Sequence, residues 1–541
     1  MGEPSVGQVL DINVPWQIPR IDPSHFTSDE LEKVIHNICG PVCAGYYVPA
    51  VDFLWTDIAC IDQRRGPLAS LEVGSQATIF NNAAGVAVWL SKTGERKESY
   101  RLLQESLSNC VLFTHGHEGD LKRMLQWDVP QQPLRTELLG CIREFIKDPW
   151  FTSLWTLQEA FLAGQGYSKH AFSGLNLEAH AIISQAFFVL ADTEIFKLLP
   201  SVKHICRGLF TLSTLTDMCR TMLSRTTYLL NKEQSADKDL DAFEKELRSM
   251  LEKSAITAMA TGGSPLNLLA LACHRKASED TDHVYAIMRV FGYRLGASKP
   301  GVNPHRWFDR EDLEDQLGEA LFADRSVQSQ LLIHTKPAEQ GKGWRVSRSS
   351  TVPFEYFAQL QYKERYRNSG VFCHKACVLT TKVIGSRTYG YFEGQACWLA
   401  EFNENTKHLQ QIAARDQTWD NRPVCKYIMD ASQFVTSPAP HESISEKMFP
   451  NNEAFQQAYG KHLEQRFQEN CLAVLHLGYS AKRHFGFLML HVKGGGTIFL
   501  HRLGTVTWNW HKEMLSESLE QLEDATTGEG APWQPLSGLF G

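Results

Sequence analysis

One glutamate in this chain stands where a carboxylate can do acid–base work. Glu159 follows Trp155 in the stretch Asp148-Pro-Trp-Phe-Thr-Ser-Leu-Trp-Thr-Leu-Gln-Glu-Ala-Phe-Leu162, so on a helix it lies one turn beyond the indole. A carboxylate beside a tryptophan, partly out of water, has a raised pKa, and general acids and bases are commonly prepared that way. The same spacing also suits an ordinary charged residue at the rim of an amphipathic helix. A second polar group comprises Asp57, Asp62 and Gln63, at or just past the end of the apolar run Phe53-Leu-Trp-Thr-Asp-Ile58. If that run is a buried parallel strand, the three residues line the crevice at its carboxyl end, where ligands of open α/β sheets bind.

Other chemistries are poorly represented. His115-Gly-His-Glu-Gly119 sits in a glycine-rich turn and reads as a solvated loop. The close cysteine pairs Cys39/Cys43 and Cys373/Cys377 have no matching pair further on, so no metal site is expected. Cys60 follows an apolar run without an identifiable histidine partner, and packing is its expected role. There is no Gly-x-Ser-x-Gly elbow, no His-Glu-x-x-His and no Gly-x-Gly-x-x-Gly opening a helix. Gly494-Gly-Gly496 is followed by neither Lys-Ser nor Lys-Thr, so it reads as a turn.

The elements that must position these groups follow from residue spacing. Asp148 and Pro149 suit the cap and first position of the glutamate helix. Its face would carry Phe151, Leu154, Trp155, Gln158 and Leu162, and Gly164-Gln-Gly166 would stop it. Residues 53–58 predict a strand, Gln76, Ile79, Phe80 and Ala83 a helix face, and Val86-Ala-Val-Trp-Leu90 the next buried strand. Strand, helix and strand over about forty residues make a right-handed βαβ unit. Upstream, Thr27 or Ser28 caps a helix with Leu31, Val34, Ile35 and Ile38 on its apolar face. Helices are expected over 100–112 and 134–146, and 176–259 reads as mostly helical, with Leu240, Phe243, Leu247 and Leu251 on one face. Pro265 opens a helix through Ala272, and 311–322 is a charged helix. The chain then turns to strands, most clearly a hairpin of 485–493 and 497–503.

Three blocks resemble a known family. Trp55-Thr-Asp-Ile-Ala-Cys-Ile-Asp-Gln63, Gln76-Ala-Thr-Ile-Phe-Asn-Asn-Ala83 and Val86-Ala-Val-Trp-Leu90 together look like the middle block of the fungal heterokaryon-incompatibility (HET) domain. Trp150-Phe-Thr-Ser-Leu-Trp-Thr-Leu-Gln-Glu159 looks like its W-F-x-R-x-W-x-x-Q-E block, with Ser153 in place of the usual arginine. Arg275-Lys-Ala-Ser-Glu-Asp-Thr-Asp-His-Val-Tyr-Ala-Ile-Met288 is similar to a segment near that domain's end. The family's first block, a strand reading like S-Y-x-W-G, is not visible in the opening residues. The resemblance implies a TIR-like, flavodoxin-type open parallel sheet. TIR enzymes cleave the nicotinamide–ribose bond of NAD with one helical glutamate, often one turn after a tryptophan. Carried over, Glu159 is the catalytic candidate, Asp57, Asp62, Gln63 and Trp155 would contact the nucleotide, and NAD would be a substrate, with no cofactor. Arg275 and Asp282 are expected to form a structural ion pair or cap that closes the domain.

The totals set the frame. A chain of 541 residues exceeds one core and implies roughly two to four domains. With 43% hydrophobic and 21% charged residues the composition is that of a globular protein. A net charge of −7 without a basic run argues against a nucleic-acid partner. Thirteen cysteines without a framework pattern, and no signal peptide, suggest a reducing compartment and a cytoplasmic protein. The apolar stretch 181–190 is too short to span a bilayer. The expected organisation is an irregular arm over 1–25, a HET-like domain over 26–295 and a linker over 296–306. The domain comprises an α/β core to about 175 and a helical extension beyond it. A C-terminal, β-rich α+β region occupies 307–541. Three functional readings stay open. The first is an incompatibility and cell-death protein that hydrolyses NAD, the second a catalytically inactive, self-associating signalling module answering an unknown protein trigger. In the third, the likeness reports fold alone and the C-terminal region binds something else.

Overall fold

A computed structural model of the chain describes residues 26–39, 53–60, 75–80, 82–83, 86–90, 132–165, 186–189, 238–254, 256, 265–303, 306–336, 338–339, 341–352, 374–403, 425–430, 435–436, 471–480, 483–494, 497–509 and 533–541, with scattered positions between 212 and 230. The arm 1–25, Asp62, Gln63, the helix expected over 100–112, the His115–Gly119 turn, Cys43 and Cys373 lie outside them. The chain divides into two compact units, Met1–Phe308 and Asp309–Gly541.

The first unit opens with α1 (Ser28–Cys39). Thr27 and Glu30 form a reciprocal capping box: the Thr27 amide donates to Glu30 Oε2 at 2.6 Å and the Glu30 amide to Thr27 Oγ1 at 3.2 Å. Val34, 3% exposed, packs with Ile38 against Ala87 and Trp89. Both belong to β1 (Val86–Trp89), the expected buried strand, and Val88 and Leu90 are buried there. Phe26 adds a ring contact to Trp89 at 4.7 Å between centroids.

The expected strand over 53–58 is absent. Asp57–Cys60 is a helical turn, α2, and Phe53 is 92% exposed. Only three apolar residues precede Thr56, too few to commit a buried strand. Thr56 followed by Asp57 is a helix-start signal, and the Cys60 amide donates to the Thr56 carbonyl at 2.8 Å. The parallel partner of β1 is instead β2 (Ala186–Val189), in register from Val86 opposite Ala186 to Trp89 opposite Val189. That stretch falls in the region expected to be mostly helical. Its Phe-Phe-Val core favours the pleated state. The residues 75–80 are helical, as their spacing predicts, with Gln76 and Ala77 buried.

Helix α3 (Gln132–Ile146) leads to the glutamate segment and buries Leu138, Leu139, Ile142 and Phe145. The helix that follows, α4, runs Trp155–Gln165 and does not start at Pro149. Asp148 does cap, accepting from the Trp150 amide at 2.9 Å, but what it caps is a single 3-10 turn, Pro149–Phe151. The chain is then pulled straight: the Leu154 amide donates to the Lys276 carbonyl at 2.9 Å and the Lys276 amide to the Thr152 carbonyl at 2.8 Å. A backbone held in a parallel bridge at Ser153 cannot also be helical.

Further helices of the unit follow among the described residues. In α5 (Lys238–Ser254) Leu240, Phe243, Leu247 and Leu251 are buried, the stripe the spacing predicts. Next come α6 (Pro265–Ala272) and α7 (Asp282–Met288). The stretch expected as a linker opens with a 3-10 turn, Gly296–Ser298, whose Ala297 amide donates to the Tyr285 hydroxyl at 3.3 Å. It is thereby tied to α7.

The second unit starts with α8 (Arg310–Arg325), capped by Asp309. Short strands β3 (Ile333–His334) and β4 (Ser350–Thr351) pair antiparallel. The remaining strands form one sheet: β5 (His374–Lys375), β6 (Cys377–Ile384), β7 (Arg387–Trp398), β8 (Cys425–Met429), β9 (Val435–Thr436), β10 (Leu472–Ser480), β11 (Arg483–Gly494), β12 (Thr497–Asn509) and β13 (Gln534–Phe540). Five of them close on themselves in the order β11, β10, β7, β13, β12, with β12 returning to β11. This is a five-stranded barrel, and β5, β6, β8 and β9 extend it. The predicted hairpin is β11–β12, turning between Gly494 and Thr497. Both faces of β11 are covered. Phe487 and Met489 join one core with Trp344, Phe392 and Phe540, while Leu488 and Leu490 join another with Tyr427, Val506 and Trp508. That explains why its sequence is apolar without alternation.

Candidate functional site

The site forms where α4 begins, and three separate stretches of the first unit build it. After the 3-10 turn, the carbonyls of Trp150 and Ser153 lack helical partners. Arg275, 4% exposed, supplies them: its Nη1 donates to Trp150 O at 2.9 Å and Ser153 O at 3.3 Å, and its Nη2 to Ser254 O at 2.6 Å. Thr156 Oγ1 donates to the same two carbonyls, at 2.6 and 2.8 Å. Burial pulls the Arg275 guanidinium down to about 9. Arg275 and Asp282 were expected as an ion pair or cap, and for Arg275 the cap is what the geometry gives: it satisfies backbone carbonyls.

Helix α4 is buried almost all round. Leu157, Gln158, Ala160, Phe161 and Leu162 are inside, as is Leu154 just before it. Trp155 and Glu159 are half-buried and form the helix's open strip. The predicted face therefore needs correcting at Trp155, which shares the open side with Glu159 and not the core side with Leu154. The reason is that Trp155 finds a polar partner there: its Nε1 donates to Asp282 Oδ2 at 3.3 Å. Asp282 opens α7, and burial raises its carboxyl pKa against the lowering effect of that hydrogen bond.

Glu159 keeps part of its surface open, yet protein atoms crowd the carboxylate. Burial first, and the negative charge of Asp57 second, push its pKa up to about 8. At neutral pH the group is therefore mostly a carboxylic acid, able to donate a proton. Asp57, on α2, is exposed. The structure thus brings together Glu159, Trp155 and Asp57 of the predicted set. Asp62 and Gln63 lie outside the described residues. Next to Glu159, the buried Gln158 amide has neither its nitrogen nor its oxygen hydrogen-bonded among the described residues. No cluster of metal-ligating side chains occurs among the described residues, and no described helix is long and apolar enough to cross a membrane. Spacing alone does not reveal the role of Asp282 beside Trp155. Its only signal is membership of the third block, 127 residues from Trp155.

The described residues of the first unit combine helices with a parallel strand pair, and Glu159 lies on one of those helices. Its residues 30–159 match the family model described as heterokaryon incompatibility protein (HET), a match whose last residue is Glu159. No curated protein and no solved structure matches the chain.

Proposed function

We propose that this protein is a self/non-self recognition protein of the heterokaryon-incompatibility type that signals cell death, and that its HET domain hydrolyses NAD through Glu159. The observation that supports the chemistry is the Glu159 carboxyl, raised to about 8 by burial and by Asp57, one turn beyond Trp155. In the reaction water replaces nicotinamide at the ribose C1′, giving ADP-ribose, nicotinamide and a proton. The nicotinamide ring of NAD is cationic. Its approach favours the ionised form of Glu159, and the carboxylate then faces the oxocarbenium-like sugar as the glycosidic bond breaks. Asp57 on the neighbouring turn, with Asp62 and Gln63 downstream of it, would line the nucleotide site in a TIR-like core that includes the parallel β1–β2 pair. In this reading the protein works in the cytoplasm, self-associates and answers a protein trigger.

The test is NAD consumption by the full chain across a concentration series, wild type beside Glu159→Ala. Nicotinamide release that the substitution abolishes, and that steepens with protein concentration, is the expected outcome. A folded wild-type chain with no turnover at any concentration removes the enzymatic part. A second reading, the catalytically silent self-associating module, is favoured by Phe53, 92% exposed, and Leu54, 38% exposed, two apolar side chains presented together beside α2. A binding role for the C-terminal β-rich unit would then carry the remaining specificity.

A further inference from the structure

In a helix, a side chain leans back over the turn before it, so the Glu159 carboxylate lies toward the Trp155 ring on the open strip of α4. The ring is not free to swing away. Its Nε1 is held at 3.3 Å by Asp282 Oδ2, and Asp282 belongs to α7, a separate element of the same unit. The ends of both segments are pinned independently of this bond, by the Ser153–Lys276 bridge and by Arg275 on the carbonyls of Trp150 and Ser153. Closing the domain does not require Asp282 to touch Trp155.

We infer that Asp282 is a positioning residue: it holds the Trp155 indole against the Glu159 carboxylate and so keeps water away from the reacting acid. The inference takes its catalytic meaning from the proposed role of Glu159, but its geometry can be tested without turnover. Among the described residues, Asp57 acts on Glu159, while Glu279 and His283 act on Asp282. Burial of the Glu159 carboxylate is the first cause of its raised pKa.

The experiment compares thermal midpoints of the full chain with and without Glu159→Gln, from pH 5 to pH 9. A carboxyl raised in the folded state destabilises the protein progressively above its unfolded pKa of 4.5, and the penalty stops growing at its folded pKa, about 8. The difference between the two chains should therefore level off near pH 8. The same comparison is then made in three backgrounds. Asp282→Ala and Trp155→Phe, which lose the acceptor and the indole N–H, should move the levelling point down by about one pH unit or more. Asp282→Asn, which removes the charge but keeps an acceptor oxygen, should leave it near the wild-type position. If Asp282→Ala does not fold, Trp155→Phe carries the comparison. Unmoved profiles in all backgrounds mean Asp282 is only a strut and overturn the inference. So does a shift in Asp282→Asn equal to that in Asp282→Ala, which would be a charge effect, and so does a flat wild-type profile. A chain that behaves as expected here and releases no nicotinamide keeps the inference and loses the NAD reading.

Discussion

Glu159 is mostly protonated at neutral pH, so its reactivity depends on which form the reaction needs. If the carboxylate is the working form, kcat/KM for nicotinamide release rises roughly tenfold per pH unit below the free-enzyme pKa and levels off near pH 8. A profile falling with pH would assign Glu159 as a proton donor instead. Arg275 makes a different kind of contribution. It touches no candidate reactive group, yet it donates to three backbone carbonyls, two of which it shares with Thr156 Oγ1. Arg275→Ala takes this donor from the Ser254 carbonyl and one of two donors from Trp150 O and Ser153 O, and should cost the first unit about 1–3 kcal/mol in denaturant unfolding. Arg275→Lys should recover only part, because an ammonium cannot span the same fork of acceptors.

At the level of elements, local pattern decided how much could be read in advance. The apolar stripe of α5, the strand β1 and the hairpin β11–β12 were legible because each declares its period within a dozen or so residues. Glu159 and Trp155 were legible as neighbours for the same reason. Residues 53–58 were not, because Thr56-Asp57 signals a helix start as strongly as Phe53-Leu54-Trp55 signals a strand. The start of α4 was misplaced because the Ser153–Lys276 bridge lies between residues far apart in the chain. The five-stranded barrel was hidden for that reason too. Its closure depends on β13 pairing with β7 on one side and, in parallel, with β12 on the other. One residue shows how tightly that closure is built. A Cβ at Gly390 of β7 would lie 2.6 Å from Trp344 Cβ and 2.7 Å from Phe540 Cε1. Gly390→Ala should therefore destabilise the second unit by about 1–3 kcal/mol, read from its denaturant midpoint.

On the scale of the whole molecule, the two units carry opposite pH liabilities. Glu159 weakens the first unit as pH rises, since its folded pKa lies above its unfolded value. In the second unit His476 and His484, hydrogen-bonded to each other at 3.1 Å, are buried among Trp508, Trp533 and Tyr479. Burial depresses them to about 4 and about 2. A histidine depressed in the folded state leaves stability intact above its unfolded pKa of 6.5 and loses it as pH falls below that value. His484→Phe, which preserves the stack on Trp508, should reduce the acid sensitivity of the second unit between pH 6.5 and pH 4 by about 1 kcal/mol per pH unit. Tryptophan fluorescence reads that unit's unfolding through the stacked Trp508 and Trp533, after subtraction of the signal that the first unit's tryptophans, Trp55, Trp89, Trp150 and Trp155 among them, contribute. The central claim, however, concerns the first unit. Its most direct test is nicotinamide release at pH 8 by the wild-type chain beside Glu159→Gln, an isosteric change that preserves packing. The wild type is expected to release nicotinamide, and the variant, equally folded, to lose at least about a hundredfold in rate. Equal release by the two chains would contradict it.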